Sequence, residues 1–172
     1  AAADCRLAIV ANSTADLEKQ LGLARPKVDG PAFTLPGGPV YGRGPKAAGS
    51  MAFLFPGQGS QAVGMGRELA MAFDVARKTW DDHAGLEFGD AEKRTTIHRM
   101  VFPPSAYTDE ARAAQTARLT ATEWAQPALG LASLATLRLL RRLGVDGDVF
   151  GGHSFGEVTA LHAGGAIDEA SM

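Results

Sequence analysis

The stretch VDGDVFGGHSFGEVTALHA, from Val145 to Ala163, decides the fold. Val145 to Phe150 predicts a short strand, Gly151 to Gly156 a Gly-rich turn, and Val158 to Ala163 an apolar helix. Inside the turn, Gly152-His153-Ser154-Phe155-Gly156 fits G-x-S-x-G, and its strand-turn-helix setting is the one a nucleophile elbow requires. Such a serine sits at a sharp, strained turn with its hydroxyl exposed. Side chains two residues to either side would collide, which calls for glycine at both places. The helix behind it aims its first N–H groups and its positive end at the reacting oxygen. A Gly-rich turn with a serine N-cap would carry the same letters, so the rest of the chain has to decide.

Upstream, Met51 to Phe55 (MAFLF) is a continuous apolar run of buried-strand length, followed by a second Gly-rich turn, PGQGSQ, from Pro56 to Gln61. Met65, Leu69, Ala72, Phe73, Ala76 and Trp80 recur at helical spacing and predict one amphipathic helix. Residues 81–118 are polar, are broken by Pro103-Pro104, and predict a surface excursion with short helices. Gln126-Pro127 predicts the start of a long helix stopped by Gly144, with Leu129, Ala132, Leu137, Leu140 and Leu143 inward. The order strand, turn, helix, helix, strand, turn, helix implies an α/β fold, a parallel sheet with flanking helices.

Residues 1–50 form a unit of their own, and the domain boundaries are set at 1–50 and 51–172. Arg6 to Ala11 reads as a strand, Ser13 as an N-cap, Gly22 as a helix stop, and Pro39-Val40-Tyr41 as a short apolar piece inside a Pro/Gly-dense stretch. This predicts a small α+β subdomain without chemistry of its own.

Gly57-x-Gly59-x-x-Ala62 also fits a dinucleotide fingerprint, with Asp81 and Asp82 about 20 residues on. That fingerprint needs its acidic residue at the end of a second strand, and here both follow Trp80 in a helical pattern. A phosphate loop fails too, because no Gly-Lys-Ser/Thr closes the turn.

Composition narrows the classes further. The chain has 172 residues, 45% hydrophobic and 21% charged, which is a globular balance. With 17 Lys+Arg against 19 Asp+Glu, the net charge of -2 argues against nucleic acid or an anionic membrane as partner. No apolar run approaches the roughly 18 residues of a spanning helix, and a cytoplasmic location is expected. One cysteine, Cys5, excludes an internal disulfide framework and a Cys-based zinc site.

Three motifs, FPGQGSQ, TEWAQPAL (Thr122 to Leu129) and GHSFGE (Gly152 to Glu157), stand in this order. Together they resemble the acyltransferase domains of fatty-acid and polyketide synthases, including malonyl-CoA:ACP transacylases. GHSFGE with TEWAQPAL is most similar to the iterative type I kind. The resemblance implies an α/β-hydrolase-like core, and it identifies residues 1–50 with the linker that joins a ketosynthase to an acyltransferase. It implies that Ser154 is the acylated nucleophile, moving an acyl group from coenzyme A to the phosphopantetheine thiol of an acyl carrier protein. The backbone N–H groups of Phe155 and Gln58 would form the oxyanion hole, each worth roughly 3 kcal/mol when removed singly. Gln126 would line the acyl pocket, and His153 would pack beside it, turned away from the hydroxyl.

No cofactor is expected to be bound directly; malonyl-CoA enters as substrate, and an adjacent ketosynthase domain as partner. Phe155 beside the nucleophile leans the expected extender toward malonyl. His162 reads as buried or on the helix face, His83 and His98 as solvated, and none as a general base or part of a metal site. The family's basic histidine and its carboxylate-binding arginine lie downstream of the serine. Because this sequence stops at Met172, its 172 residues alone are expected to be inactive, and unstable unless complemented. Two competing readings keep the same residues. One is a serine hydrolase, which many relatives of the elbow fold are, although these often build the second donor from an HGGG-like loop. The other is a non-catalytic piece of a synthase.

Overall fold

The computed structural model describes residues 4–44, 49–88 and 95–172. Ala1 to Ala3, part of the Pro/Gly-dense stretch (45–48) and part of the polar excursion (89–94) lie outside the described residues. The chain divides into two compact units, Ala1–Gly49 and Ser50–Met172.

In the first unit, β1 (Cys5–Ala8) and β2 (Phe33–Thr34) both pair antiparallel with β3 (Val40–Arg43), giving the order β1-β3-β2. Helix α1 (Thr14–Ala24) starts where Ser13 predicts, the Ser13 hydroxyl accepting the Asp16 N–H at 3.1 Å. Gly22 does not stop it. The helix runs on to Ala24, which is fully buried, and Pro26 then sits in a 3-10 turn, Arg25–Lys27. Burying Ala24 offsets the roughly 1 kcal/mol that an interior glycine costs a helix.

The second unit is built on β4 (Ala52–Phe55) and β7 (Val149–Gly152), paired in parallel with Phe53 opposite Phe150 and Phe55 opposite Gly152. The Asp148 carboxylate accepts the Met51 N–H at 2.7 Å, and the His153 N–H continues the ladder to the Phe55 carbonyl at 3.1 Å. Phe53 and Phe55, two apart on one face, pack with Leu137, Phe150, Ala160 and Ala163. Leu54, on the other face, is 80% exposed among the described residues.

Between these strands come α2 (Arg67–Ala72), α3 (Asp74–Asp82), β5 (Glu87–Phe88), β6 (Thr95–Thr96), α4 (Ile97–Val101), α5 (Asp109–Thr120) and α6 (Thr122–Arg142); α7 (Phe155–Ala163) follows β7. Strands β5 and β6 form a separate antiparallel pair. The single helix expected over 65–80 is two helices, split where Phe73 takes an extended conformation (φ -132, ψ 122). The break leaves Met71 outside and turns Ala76, Thr79 and Trp80 inward. The apolar i, i+3, i+4 spacing runs straight across Phe73, so periodicity conceals it.

The polar excursion is also more than surface. Its Ile97, Met100 and Val101 are buried with Trp80, Leu119, Trp124 and Leu131 in the larger core cluster. Helix α6 begins four residues before Gln126, placing Pro127 inside it, and ends at Arg142, with Gly144 (φ 78) in the turn that follows; Leu143 is exposed. No helix among the described residues is long and apolar enough to cross a membrane.

Candidate active site

The β7–α7 turn is an elbow in geometry as well as in letters. Ser154 has φ 56 and ψ -123 and is the one non-glycine with positive φ among the described residues. A backbone of this kind costs on the order of 1–3 kcal/mol and persists only where its surroundings enforce it. Here they do. A Cβ on Gly152 would stand 2.0 Å from the Gly156 carbonyl carbon, and a Cβ on Gly156 would stand 2.2 Å from the Phe55 carbonyl oxygen. Both glycines of the motif are therefore required by backbone contact, with the strand pair wedged against the start of α7. Ser154 itself is exposed.

Ser154 is the N-cap of α7, and its distorted backbone leaves a specific donor free. The N–H groups of Gly156 and Glu157 go to the carbonyls of His153 (3.0 Å) and Ser154 (2.9 Å). Phe155, first in the helix, has no intrahelical acceptor, and its N–H finds none elsewhere among the described residues.

The PGQGSQ turn meets this elbow directly. A Cβ on Gly57 would lie 2.3 Å from the His153 carbonyl oxygen, 2.9 Å from His153 Nδ1 and 2.9 Å from Ser154 Cβ. Only glycine permits that approach, and it brings the peptide of Gln58 beside the serine. Gln126 is half-buried in α6, one turn before Gly130. Gly130 is where the Phe155 ring packs: a Cβ there would be 3.1 Å from Phe155 Cε1. Ser154, Phe155, His153 and the Gln58 peptide are thus gathered at one point, with Gln126 one helical turn from the contact. The Gln126 side chain makes no hydrogen bond among the described residues.

No hydrogen bond reaches the Ser154 hydroxyl from any of the four histidines among the described residues. His153 is exposed and leans on Gly57. His162 is half-buried on α7. His98 is not solvated as expected. Its ring stands edge-on to Trp80 (5.9 Å) and against Phe102 (6.1 Å), its Nδ1 is buried without a partner, and burial holds its pKa below the ordinary imidazole value. His83 is also largely enclosed, with Nδ1 2.7 Å from the Thr79 carbonyl and Nε2 3.1 Å from Glu169, which also binds Arg138. Asp81 and Asp82 close α3, and Asp82 pairs with Lys78 at 2.6 Å, so neither occupies the strand end that a dinucleotide site needs.

An apolar groove of about 410 Å³ lies between β4 and α6, lined by Phe53, Leu54, Met65, Leu129 and Leu140 among others, and includes neither Ser154 nor Gln126. Among the described residues no three or more His, Cys, Asp or Glu side chains gather as metal ligands.

The sequence reading missed two threonines. Thr120 and Thr122, at the α5–α6 junction, receive the side-chain amides of Gln61 and Gln58. The signal was present in TEWAQPAL, whose first residue is Thr122, but a threonine at a helix start reads as a cap.

Comparisons with known proteins agree with this geometry. The family described as acyl transferase domain matches residues 52–171. The malonyl CoA-acyl carrier protein transacylase of Bacillus subtilis (strain 168) is 38% identical over 117 residues, 68% of this chain and 32% of that protein. The PKS-NRPS hybrid synthetase acdB of Aspergillus candidus is 35% identical over 163 residues, 95% of this chain and 6% of that protein. Among solved structures, the acyltransferase domain from the second module of the salinomycin polyketide synthase aligns with TM-score 0.64 at 32% identity, covering 94% of this chain and 33% of that one. The chain thus spans about a third of the transacylase and of the solved domain.

Proposed function

That this chain belongs to the acyl transferase domain family is the premise from which we propose its function: transfer of an acyl group from a coenzyme A thioester, by way of Ser154, to an acyl carrier protein. The acyl group is malonyl, and the acceptor is the phosphopantetheine thiol of a carrier protein in a polyketide or fatty-acid synthase. Malonyl is supported by the transacylase relative, whose name states that substrate.

Ser154 Oγ attacks the thioester carbonyl, its proton passes to a base, and the coenzyme A thiolate leaves. In the second half, the carrier thiol attacks the acyl-Ser154 ester and returns the serine. The oxyanion formed in each half is held by the N–H groups of Phe155 and Gln58, with Gln126 and His153 beside the acyl group. The reading requires a base that reaches Ser154 from outside the described residues.

The observation that carries it is the strained backbone of Ser154 (φ 56, ψ -123) at the start of α7, pressed against Gly57 of the second turn. Residues 1–50 are the linker on the ketosynthase side. This is supported by the synthase match, which extends over 95% of the chain, whereas the transacylase match covers 68%.

The test is to give the full-length polypeptide that carries this sequence labelled malonyl-CoA and a phosphopantetheinylated carrier protein. Label is expected on the carrier thiol. Free malonate in its place, with no carrier labelling, would make the protein a thioester hydrolase.

A further inference from the structure

We propose that Thr122 is a positioning residue for the oxyanion hole, acting through the side chain of Gln58; this rests on the reading of the Gln58 N–H as an oxyanion donor. The loop that must present that N–H is poorly held by its own backbone. Two of its residues, Gly57 and Gly59, are glycines, Gly59 lies at φ 107, and a single turn bond, from the Ser60 N–H to the Gly57 carbonyl at 3.2 Å, closes it. A donor contributes to transition-state stabilisation only if its direction is fixed beforehand, so something outside the loop has to hold the Gln58 peptide.

The α5–α6 junction does so. Gln58 Nε2 donates to Thr122 Oγ1 at 3.2 Å and to the Thr120 carbonyl at 3.4 Å. Gln61 Nε2 donates to Thr120 Oγ1 at 3.4 Å, while Gln61 Oε1 accepts the Gly59 N–H at 2.7 Å. Both glutamine amides of PGQGSQ therefore end at this junction, Gln58 on Thr120 and Thr122 and Gln61 on Thr120. The Thr120 hydroxyl is fixed in turn by donating to the Thr116 carbonyl at 2.9 Å. The junction is anchored on either side by Leu119 and Trp124, both buried in the core cluster. Helix α6 carries Thr122 and Gln126 four residues apart, so the element that lines the acyl pocket also sets the oxyanion loop.

The experiment measures single-turnover acylation of Ser154 by malonyl-CoA in the full-length polypeptide, by rapid quench and intact mass. Thr122→Val keeps the shape and removes the acceptor; it is expected to slow acylation at saturating malonyl-CoA about tenfold, a fraction of the loss when an oxyanion donor is removed outright. The half-saturating concentration is expected to stay unchanged, and Thr122→Ser to restore the rate to within about twofold. Gln58→Met keeps the backbone N–H and removes the amide. It is expected to be at least as slow as Thr122→Val, because it also loses the bond to the Thr120 carbonyl, and the double variant to be no slower than Gln58→Met alone.

The proposal is overturned if Thr122→Val acylates at the parent rate, if it changes only the half-saturating concentration, or if Thr122→Ser is as slow as Thr122→Val. Should Thr122→Val not fold, Gln58→Met alone decides, a parent rate overturning the proposal. Ser154→Ala run alongside keeps the two readings apart: full loading of that variant would refute the serine mechanism itself.

Discussion

Ser154 is held in a conformation that a glycine would adopt without strain, and this puts a sign on a mutation. Ser154→Gly should remove strain of on the order of 1–3 kcal/mol and return part of it as chain entropy in the unfolded state, for a net stabilisation of about 1 kcal/mol. The expected outcome is a higher denaturation midpoint together with complete loss of acyl loading. A lower midpoint would mean that the serine backbone is not strained by its site. At this scale the sequence was legible where chemistry and sterics demand one residue type. Gly152 and Gly156 could be assigned because a strained elbow excludes side chains, and the backbone contacts of 2.0 and 2.2 Å bear that out. His98 could not be assigned, because the charged residues Glu92, Lys93 and Arg94 shortly before it read as a solvated surface, while Trp80, which its ring meets edge-on, comes from α3.

At the scale of elements, the α4 helix is the part that polarity disguised. Ile97, Met100 and Val101 fill the core from a segment preceded by the charged run Glu92-Lys93-Arg94, and His98 is carried into the same interior. Burial favours its neutral form, opposed by the charge of Asp81 and aided by that of His83. The folded state therefore binds fewer protons than the unfolded state near the ordinary imidazole pKa. The stability that His98 contributes is present above that value and is lost as pH falls through it. Thermal unfolding of the unit between pH 7.5 and 5.5 should show a falling midpoint, and His98→Phe should flatten the fall. An unchanged slope would place the pH dependence elsewhere. The two-helix break at Phe73 was illegible for a different reason: the core stripe continues through it, and only the extended backbone marks the turn.

Over the whole second unit, two parallel strands position everything that matters. Strand β4 delivers PGQGSQ and strand β7 delivers GHSFG, and because they are neighbours in parallel register their C-terminal ends emerge side by side. The parallel sheet was legible from the order of strands and turns, whereas the meeting of the two turns was implied only by the resemblance that the three motifs carry. Among the described residues this sheet has two strands, with Leu54 and Val149 (56%) exposed. The central claim is that Ser154, set at this edge, becomes covalently acylated. The most direct test is intact-mass spectrometry of the full-length polypeptide carrying this sequence, denatured after brief incubation with malonyl-CoA, beside its Ser154→Ala variant. One malonyl adduct is expected on the parent, located on the peptide that contains Ser154, and none on the variant. An adduct that survives in Ser154→Ala, or a folded parent that acquires none, would contradict the central claim.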